Sequence, residues 1–481
     1  MSVQTIQPNP SFCPIDEIPD AVEALRESFQ SGRTRPVEWR LAQLDGILRF
    51  LKERHEEILA ALQSDLGKPR FDALLAEVVG VELDVLHMKK YLRRWMKPES
   101  VATPVIHWPA RSFIHKEPLG VVLVIAPWNY PLQLCLGPLA AAVAAGNTAV
   151  VKPSELSPAT SALLEKHLPN YLDPNCVRVI QGEVPETTRL LEQRFDHILY
   201  TGNGKVARIV MKAAAEHLTP VTLELGGKSP VIVDSTIDVK MAAKRLVWAK
   251  FFNCGQTCVA PDYLLVEESV HDRLLDEMVA AVKKFWGKNP QKHSEYARIV
   301  NSRHYRRLMG LMDCDCRVVC GGSGQESDRY IQPTILADVS PKADVMEEEI
   351  FGPILPVLKV PGVNEAIDFI NERPKPLALY VFSDSKQVQR RVLQSTSSGG
   401  AVINHCMLHN LVPGLPFGGV GESGMGAYHG KAGFDTFSHR KSVVEKPLAF
   451  DTFLVYPPYT RRITKLTEKL VKAWRFLRPG S

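Results

Sequence analysis

Residues 251 to 263 read FFNCGQTCVAPDY, with Cys254 and Cys258 four positions apart beside a glycine and small polar residues. Thiols so placed could be half of a metal site, a redox pair, a nucleophile with a neighbour, or buried packing groups. A closed zinc site needs a second pair of ligands. The candidates, Cys314, Cys316 and Cys320 or His405, Cys406 and His409, fall in other predicted elements, so no metal is expected. A dithiol redox pair usually has two residues between its cysteines, and here there are three. A nucleophile needs an environment that favours thiolate, an oxyanion donor and a base. This stretch alone does not choose between its two thiols.

Other polar groups stand where chemistry could converge on it. TLELGGKSP puts Glu224 at the end of an apolar run before two glycines, and PWNYP holds Asn129, an amide donor, in a constrained turn after another. KPSE follows a third run, with Lys152 and Glu155 three apart. Residues 202–207, GNGKVA, match the G-x-G-x-x-[GA] dinucleotide pattern, with Glu224 about 20 residues later where a ribose-binding acid belongs. Glu224 therefore has two competing roles, ribose ligand and general base.

The elements that must position these groups alternate. Residues 20–97 carry helical periodicity and dense charge. From 117 onward apolar runs (VVLVIA, TAVVKP, VRVIQG, HILYTG, VTLELGG) alternate with helical stretches, which predicts crossover connections and a doubly wound parallel sheet with ligands beyond the strands' carboxyl ends. A second α/β region begins near SPVIVDS and continues through YLLVEE, YIQPTIL, ILPVLKV, ALYVFS and AVINH. Residues 118–151 carry no charged side chain, but Pro127, Asn129, Pro131 and Pro138 interrupt them, so a buried strand, helix and strand is expected rather than a membrane span.

With 45% hydrophobic and 23% charged residues, the 481-residue chain has the composition of a globular protein. A net charge of +5, from 58 basic and 53 acidic residues, gives no reason to expect a nucleic-acid partner. Nine scattered cysteines suggest reduced thiols and a reducing compartment, and the amino terminus shows no basic region followed by an apolar run, so no signal peptide is expected. TRRITKLTEKLVKAWRFLRPGS reads as a basic amphipathic helix, with Ile463, Leu466, Leu470, Trp474 and Leu477 at spacings of three and four. It suits a surface helix or peripheral contact with an anionic membrane, and is too charged to span one.

Long motifs occur in order: ESFQSGRTRPVEWRLAQL, APWNYPLQL, AGNTAVVKPSELSP, YTGN, LELGGKSP, NCGQTC, EEIFGP and LPFGGVGESGMGAYHGKAGFDTFSHRKS. In these the chain resembles the aldehyde dehydrogenases, and in particular the class-three branch with fatty and aromatic aldehyde dehydrogenases. The resemblance implies a Rossmann-like cofactor domain, an α/β catalytic domain and a small β bridging element. Expected boundaries are 1–99 with 119–225 for the NAD(P)-binding domain, 226–422 for the catalytic domain, 100–118 with 435–447 for bridging strands, and 460–478 for the tail helix.

The resemblance also implies that Cys258 is the nucleophile, with Cys254 its neighbour, that Glu224 is the general base rather than the ribose ligand, and that Asn129 holds the oxyanion. Lys152 and Glu155 would hold the adenosine ribose. Trp128, Gly202, Asn203 and Leu225 would border the cofactor, and Glu349 and Phe351 of EEIFGP would hold the nicotinamide riboside. After YTGN this chain reads GKVAR, where relatives carry a small residue and a later glycine. The implied activity is oxidation of an aldehyde, medium or long-chain aliphatic or aromatic, to the acid with NAD or NADP, by a cytoplasmic homodimer. The rival readings are a CoA-acylating dehydrogenase and a catalytically silent binding protein on this fold.

Overall fold

The computed structural model describes residues 12–104, 107–449 and 456–476. The tail positions Leu477 and Arg478 lie outside these residues, as do the side chains of Trp474 and Arg475. Helices Val37–Glu53, His55–Leu66 and Gly80–Trp95 form the helical preface. The first buries Leu44, Ile47, Phe50 and Leu51, a stripe at helical spacing. Gly46 lies on this face because a Cβ there would meet the Tyr171 carbonyl at 2.1 Å.

By contact the chain divides into Met1–Met96 with Glu117–His439, and Lys97–Lys116 with Arg440–Ser481. In the smaller unit, β1 (Glu99–Val101) pairs antiparallel with β2 (Arg111–Pro118). Arg440 and Glu99 form an ion pair at 3.1 Å in this unit, and Arg461–Phe476 is helical.

The larger unit holds two main sheets. The first contains β3 (Val121–Ile125), β4 (Thr148–Lys152), β5 (Val177–Val179), β6 (His197–Thr201) and β7 (Val221–Glu224), the five runs expected from sequence. β3 is buried throughout because it faces two cores. Val122 and Val124 pack in one cluster with the apolar helix Gln133–Ala145, and Val121, Leu123 and Ile125 pack in the other with helix Gly204–Glu216. Helices on both faces explain why a parallel strand reads as a continuous apolar run. Among the described residues, no helix is long and apolar enough to cross a membrane.

The second sheet begins with β8 (Pro230–Val233), β9 (Tyr263–Glu267) and β10 (Arg317–Cys320). The expected strand at YIQPTIL is interrupted at Gln332 and Pro333. After the short β11 (Gly324–Gln325), its residues fall in β12 (Tyr330–Ile331), paired with β11, and β13 (Thr334–Ala337). Strands β14 (Ile354–Val360), β15 (Ala378–Phe382) and β16 (Gly400–Ile403) complete the order β10-β13-β14-β9-β8-β15-β16. The two-residue β17 (Gly424–Met425) returns to the first sheet, giving β17-β7-β6-β3-β4-β5, and β18 (Ser438–Glu445) joins β1 and β2.

Candidate active site

The order of the parallel strands in the first sheet reverses beside β3, with β4 and β5 on one side and β6 and β7 on the other. In such sheets the crevice lies beyond the carboxyl ends at this switch point, here between the turn after Ile125 and the turn after Thr201. Register sets Ile125 beside both Lys152 and Tyr200, and Thr201 beside Glu224. The expected polar groups therefore emerge at one edge.

Glu224 is 2% exposed and neither carboxyl oxygen has a hydrogen-bond partner among the described residues. Burial alone raises its pKa well above the ordinary carboxyl range. On its open edge β7 pairs with β17, where Gly424 faces Glu224. Glu224, Thr201, Leu225 and Cys258 line one cavity, whose other walls include Leu75, Val81, Leu134, Trp248, Phe252 and Phe417. Thr201 Oγ1 is also buried and has no hydrogen-bond partner among the described residues. A cavity with apolar walls and a few convergent polar groups is the usual form of a small-molecule site.

Cys258 is half-buried at this cavity. Burial, then Glu349 and Glu224, push its thiol pKa upward, while the backbone N–H groups of Cys258 and Val259 favour thiolate. The loop before it is unusual. Asn253 and Cys254 hold left-handed conformations at φ 50° and 54°, and a Cβ on Gly255 would meet the Gly352 carbonyl at 2.3 Å. Gln256 secures this strained path: its amide nitrogen donates to the carbonyls of Asn253 (3.1 Å) and Arg298 (2.9 Å), and its oxygen accepts from Val300 N–H (2.9 Å).

Cys254 faces other surroundings. It is fully buried, and its pKa is pushed up to about 12 by burial, against side-chain bonding to Tyr296 and the nearby charges of Arg298 and Lys250. The two cysteines of the motif thus meet different neighbours.

Asn129 is 3% exposed, and its amide donates to the Gln256 carbonyl at 3.1 Å. An amide nitrogen carries two hydrogens, so one remains for another acceptor. The Asn129 carbonyl accepts from Lys68 Nζ (2.9 Å) and Asn253 Nδ2 (3.0 Å). Tyr130 and Thr257, whose hydroxyls are 2.6 Å apart, tie the same turn to the residue before Cys258.

Along the crevice, Lys152 Nζ donates to Glu155 at 3.1 Å, with Lys152 buried and Glu155 38% exposed. Asn203 caps the helix Gly204–Glu216, its side chain accepting from Val206 N–H at 3.0 Å, and its own N–H donates to the Tyr200 hydroxyl at 3.1 Å. Gly202 leaves room for that hydroxyl, which a Cβ would meet at 2.2 Å. The Glu349 carboxyl lies against Gly226, where a Cβ would be 1.8 Å from it, and its pKa is pushed up to about 8 by burial and by Asp262. Trp128 and Phe351 meet edge to face at 5.3 Å. Leu225 N–H donates to the Ser423 carbonyl at 3.0 Å.

One cysteine pair departs from the expectations. Cys314 and Cys316 form a disulfide, so the reading of all nine cysteines as reduced thiols fails for this pair, which one intervening residue lets close. Neither His405 nor His409 lines the cavity. The His405 ring accepts from Cys406 N–H at 2.8 Å, and His409 lies between the rings of Tyr380 and Phe417, its pKa lowered to about 4 by burial. Sequence reasoning missed Tyr130, Thr257 and His429, which do line the cavity. The hydroxyls inside PWNYP and NCGQTC were the available signal for the first two, whereas His429, in a loop, had none.

A family model described as "Aldehyde dehydrogenase family" matches residues 11–443. The chain is 47% identical to "Aldehyde dehydrogenase, dimeric NADP-preferring" of Canis lupus familiaris, over 94% of this chain and 100% of that protein. It is 49% identical to "Aldehyde dehydrogenase family 3 member A2" of Pongo abelii, over 91% of this chain and 90% of that one. Among solved structures, the substrate-bound state of Staphylococcus aureus AldH superposes with a TM-score of 0.91 at 43% identity, covering 94% of this chain and 99% of that one.

Proposed function

Because the chain belongs to the aldehyde dehydrogenase family and is an NAD(P)-dependent oxidoreductase of aldehydes, we propose that Cys258 is its nucleophile, Asn129 its oxyanion donor and Glu224 its general base. The observation that carries this reading is the single cavity holding Cys258 and Glu224, with the Asn129 turn bonded to the loop that presents the thiol.

The Cys258 thiolate attacks the aldehyde carbonyl carbon, forming a C–S bond while the carbonyl electron pair moves to oxygen. That oxyanion accepts from the free hydrogen of Asn129 Nδ2. NAD(P)+, when bound, supplies the acceptor for the hydride that leaves the carbon. Glu224 then takes a proton from water as the water attacks the resulting thioester, the C–S bond breaks, and the acid departs. A buried carboxyl with no hydrogen-bond partner among the described residues suits water activation, and supports hydrolysis over transfer of the acyl group to coenzyme A.

The residues present fit a dinucleotide. The exposed Glu155 carboxyl beside the Lys152 ammonium can hold ribose hydroxyls. The amino terminus of Gly204–Glu216 opens on the switch-point crevice and suits a phosphate. Trp128, Phe351 and Glu349 would border the nicotinamide riboside, and Gly202, Asn203 and Leu225 would border the rest of the cofactor. We assign the cofactor to 1–99 with 119–225, catalysis to 226–422, and bridging to 100–118 with 435–447. The apolar walls support medium or long-chain aliphatic or aromatic aldehydes.

The dog relative is named dimeric and NADP-preferring, which supports a homodimer that accepts NADP as well as NAD. Seven of the nine cysteines are free, with only Cys314 and Cys316 paired, which supports a cytoplasmic location. Leu466 and Leu470 are 42% and 50% exposed on a helix rich in Lys and Arg, which supports peripheral contact with an anionic membrane. Turnover tests the catalytic assignment: Cys258→Ala abolishes cofactor reduction with a medium-chain aldehyde while Cys254→Ser retains it, and the reverse result overturns it.

A further inference from the structure

We propose that Lys68 and Glu77 are positioning residues for the oxyanion, acting through Asn129; the inference rests on the reading of Asn129 as oxyanion donor. Their side chains are 0% exposed and form an ion pair. Glu77 lies on a π-helical stretch, Ala73–Val79, set between the short helix Arg70–Asp72 and Gly80–Trp95. Such stretches are rare and concentrate at functional sites.

The pair grips one turn at three backbone points. Glu77 Oε2 accepts from the N–H groups of Leu132 (3.1 Å) and Gln133 (3.0 Å). These open the helix Gln133–Ala145, which has no side-chain cap of its own. The other Glu77 oxygen accepts from Lys68 Nζ. Lys68 Nζ also donates to the Asn129 carbonyl at 2.9 Å and stands 4.1 Å from the centre of the Tyr130 ring. Asn253 reaches the same carbonyl from the nucleophile loop at 3.0 Å, and the Asn129 amide returns to Gln256 at 3.1 Å. Asn129 is therefore held between a charged clamp and the segment presenting Cys258.

Stability does not account for the pair. Burying two charges costs several kcal/mol per ion, and well-packed apolar replacements are often neutral or stabilising. What an apolar pair could not do is bond three backbone groups of the turn while setting a cation against the carbonyl of the oxyanion donor. A misplacement of about 1 Å is enough to cost roughly a hundredfold in rate.

A double-mutant cycle in the full-length protein tests this. Lys68→Met should lower kcat by about tenfold to a hundredfold, with aldehyde KM and cofactor Kd little changed. In an Asn129→Ala background the same change should cost less than about threefold, because residues acting as a unit are non-additive. An equal loss of kcat in both backgrounds, or a loss confined to KM, overturns the inference alone. If Asn129→Ala itself leaves kcat unchanged, the reading of Asn129 fails and the inference falls with it. Should Lys68→Met not fold, Glu77→Gln, which keeps size and one acceptor, enters the same cycle with the same criteria.

Discussion

Glu224 is buried at the cavity wall, and its charged form finds no hydrogen-bond partner among the described residues. A base in that setting works only once deprotonated, so the deacylation rate should rise with pH through a value above the ordinary carboxyl range, and Glu224→Gln should flatten that rise. The same shift has a stability consequence. Protonated Glu224 suits the fold, and that advantage is lost as pH rises through the raised pKa. The Tm of Glu224→Gln relative to the parent should therefore be higher at pH 8 than at pH 5, measured by calorimetry. Asn129→Ala removes one oxyanion donor and should cost roughly 2.7–4 kcal/mol, on the order of a hundredfold to a thousandfold in kcat. The residues with a charge or amide at a strand end were legible in the sequence. Which thiol faces the substrate was not: Cys254 and Cys258 differ by neighbours from distant segments, Tyr296 and Lys250 for one and Glu349 and Glu224 for the other, and only family resemblance separated them.

At the scale of elements, the five parallel strands of the first sheet were legible because burial on both faces writes an apolar run into each. β10, β11 and β17 were not, being edge or two-residue pieces whose pairing depends on a distant partner. β17 matters to the site because it covers the edge at Glu224. The glycines of LELGG have a specific cause: Gly226 makes room for Glu349. In Gly226→Ala the new Cβ would overlap the Glu349 carboxyl, so the variant should bind NAD(P)H more weakly in a fluorescence titration while the fold, read by circular dichroism, is retained. Unchanged affinity would separate Glu349 from cofactor binding.

For the whole molecule, the alternating pattern after residue 117 and the order of the long motifs carried the architecture, whereas the extent of the smaller unit rests on β1 and β2 meeting β18 from more than 300 residues away. Sedimentation equilibrium should report twice the 53.6 kDa chain mass if the chain is a homodimer. Flotation with anionic vesicles should recover the intact protein and lose one truncated after residue 459; equal recovery in the soluble fraction would rule out the tail as a membrane contact. The most direct measurement is mass spectrometry of Glu224→Gln mixed with a medium-chain aldehyde and NAD(P)+. An acyl adduct should accumulate and map to Cys258. An adduct on Cys254, or a variant that turns over at the parent rate with no adduct, would contradict it.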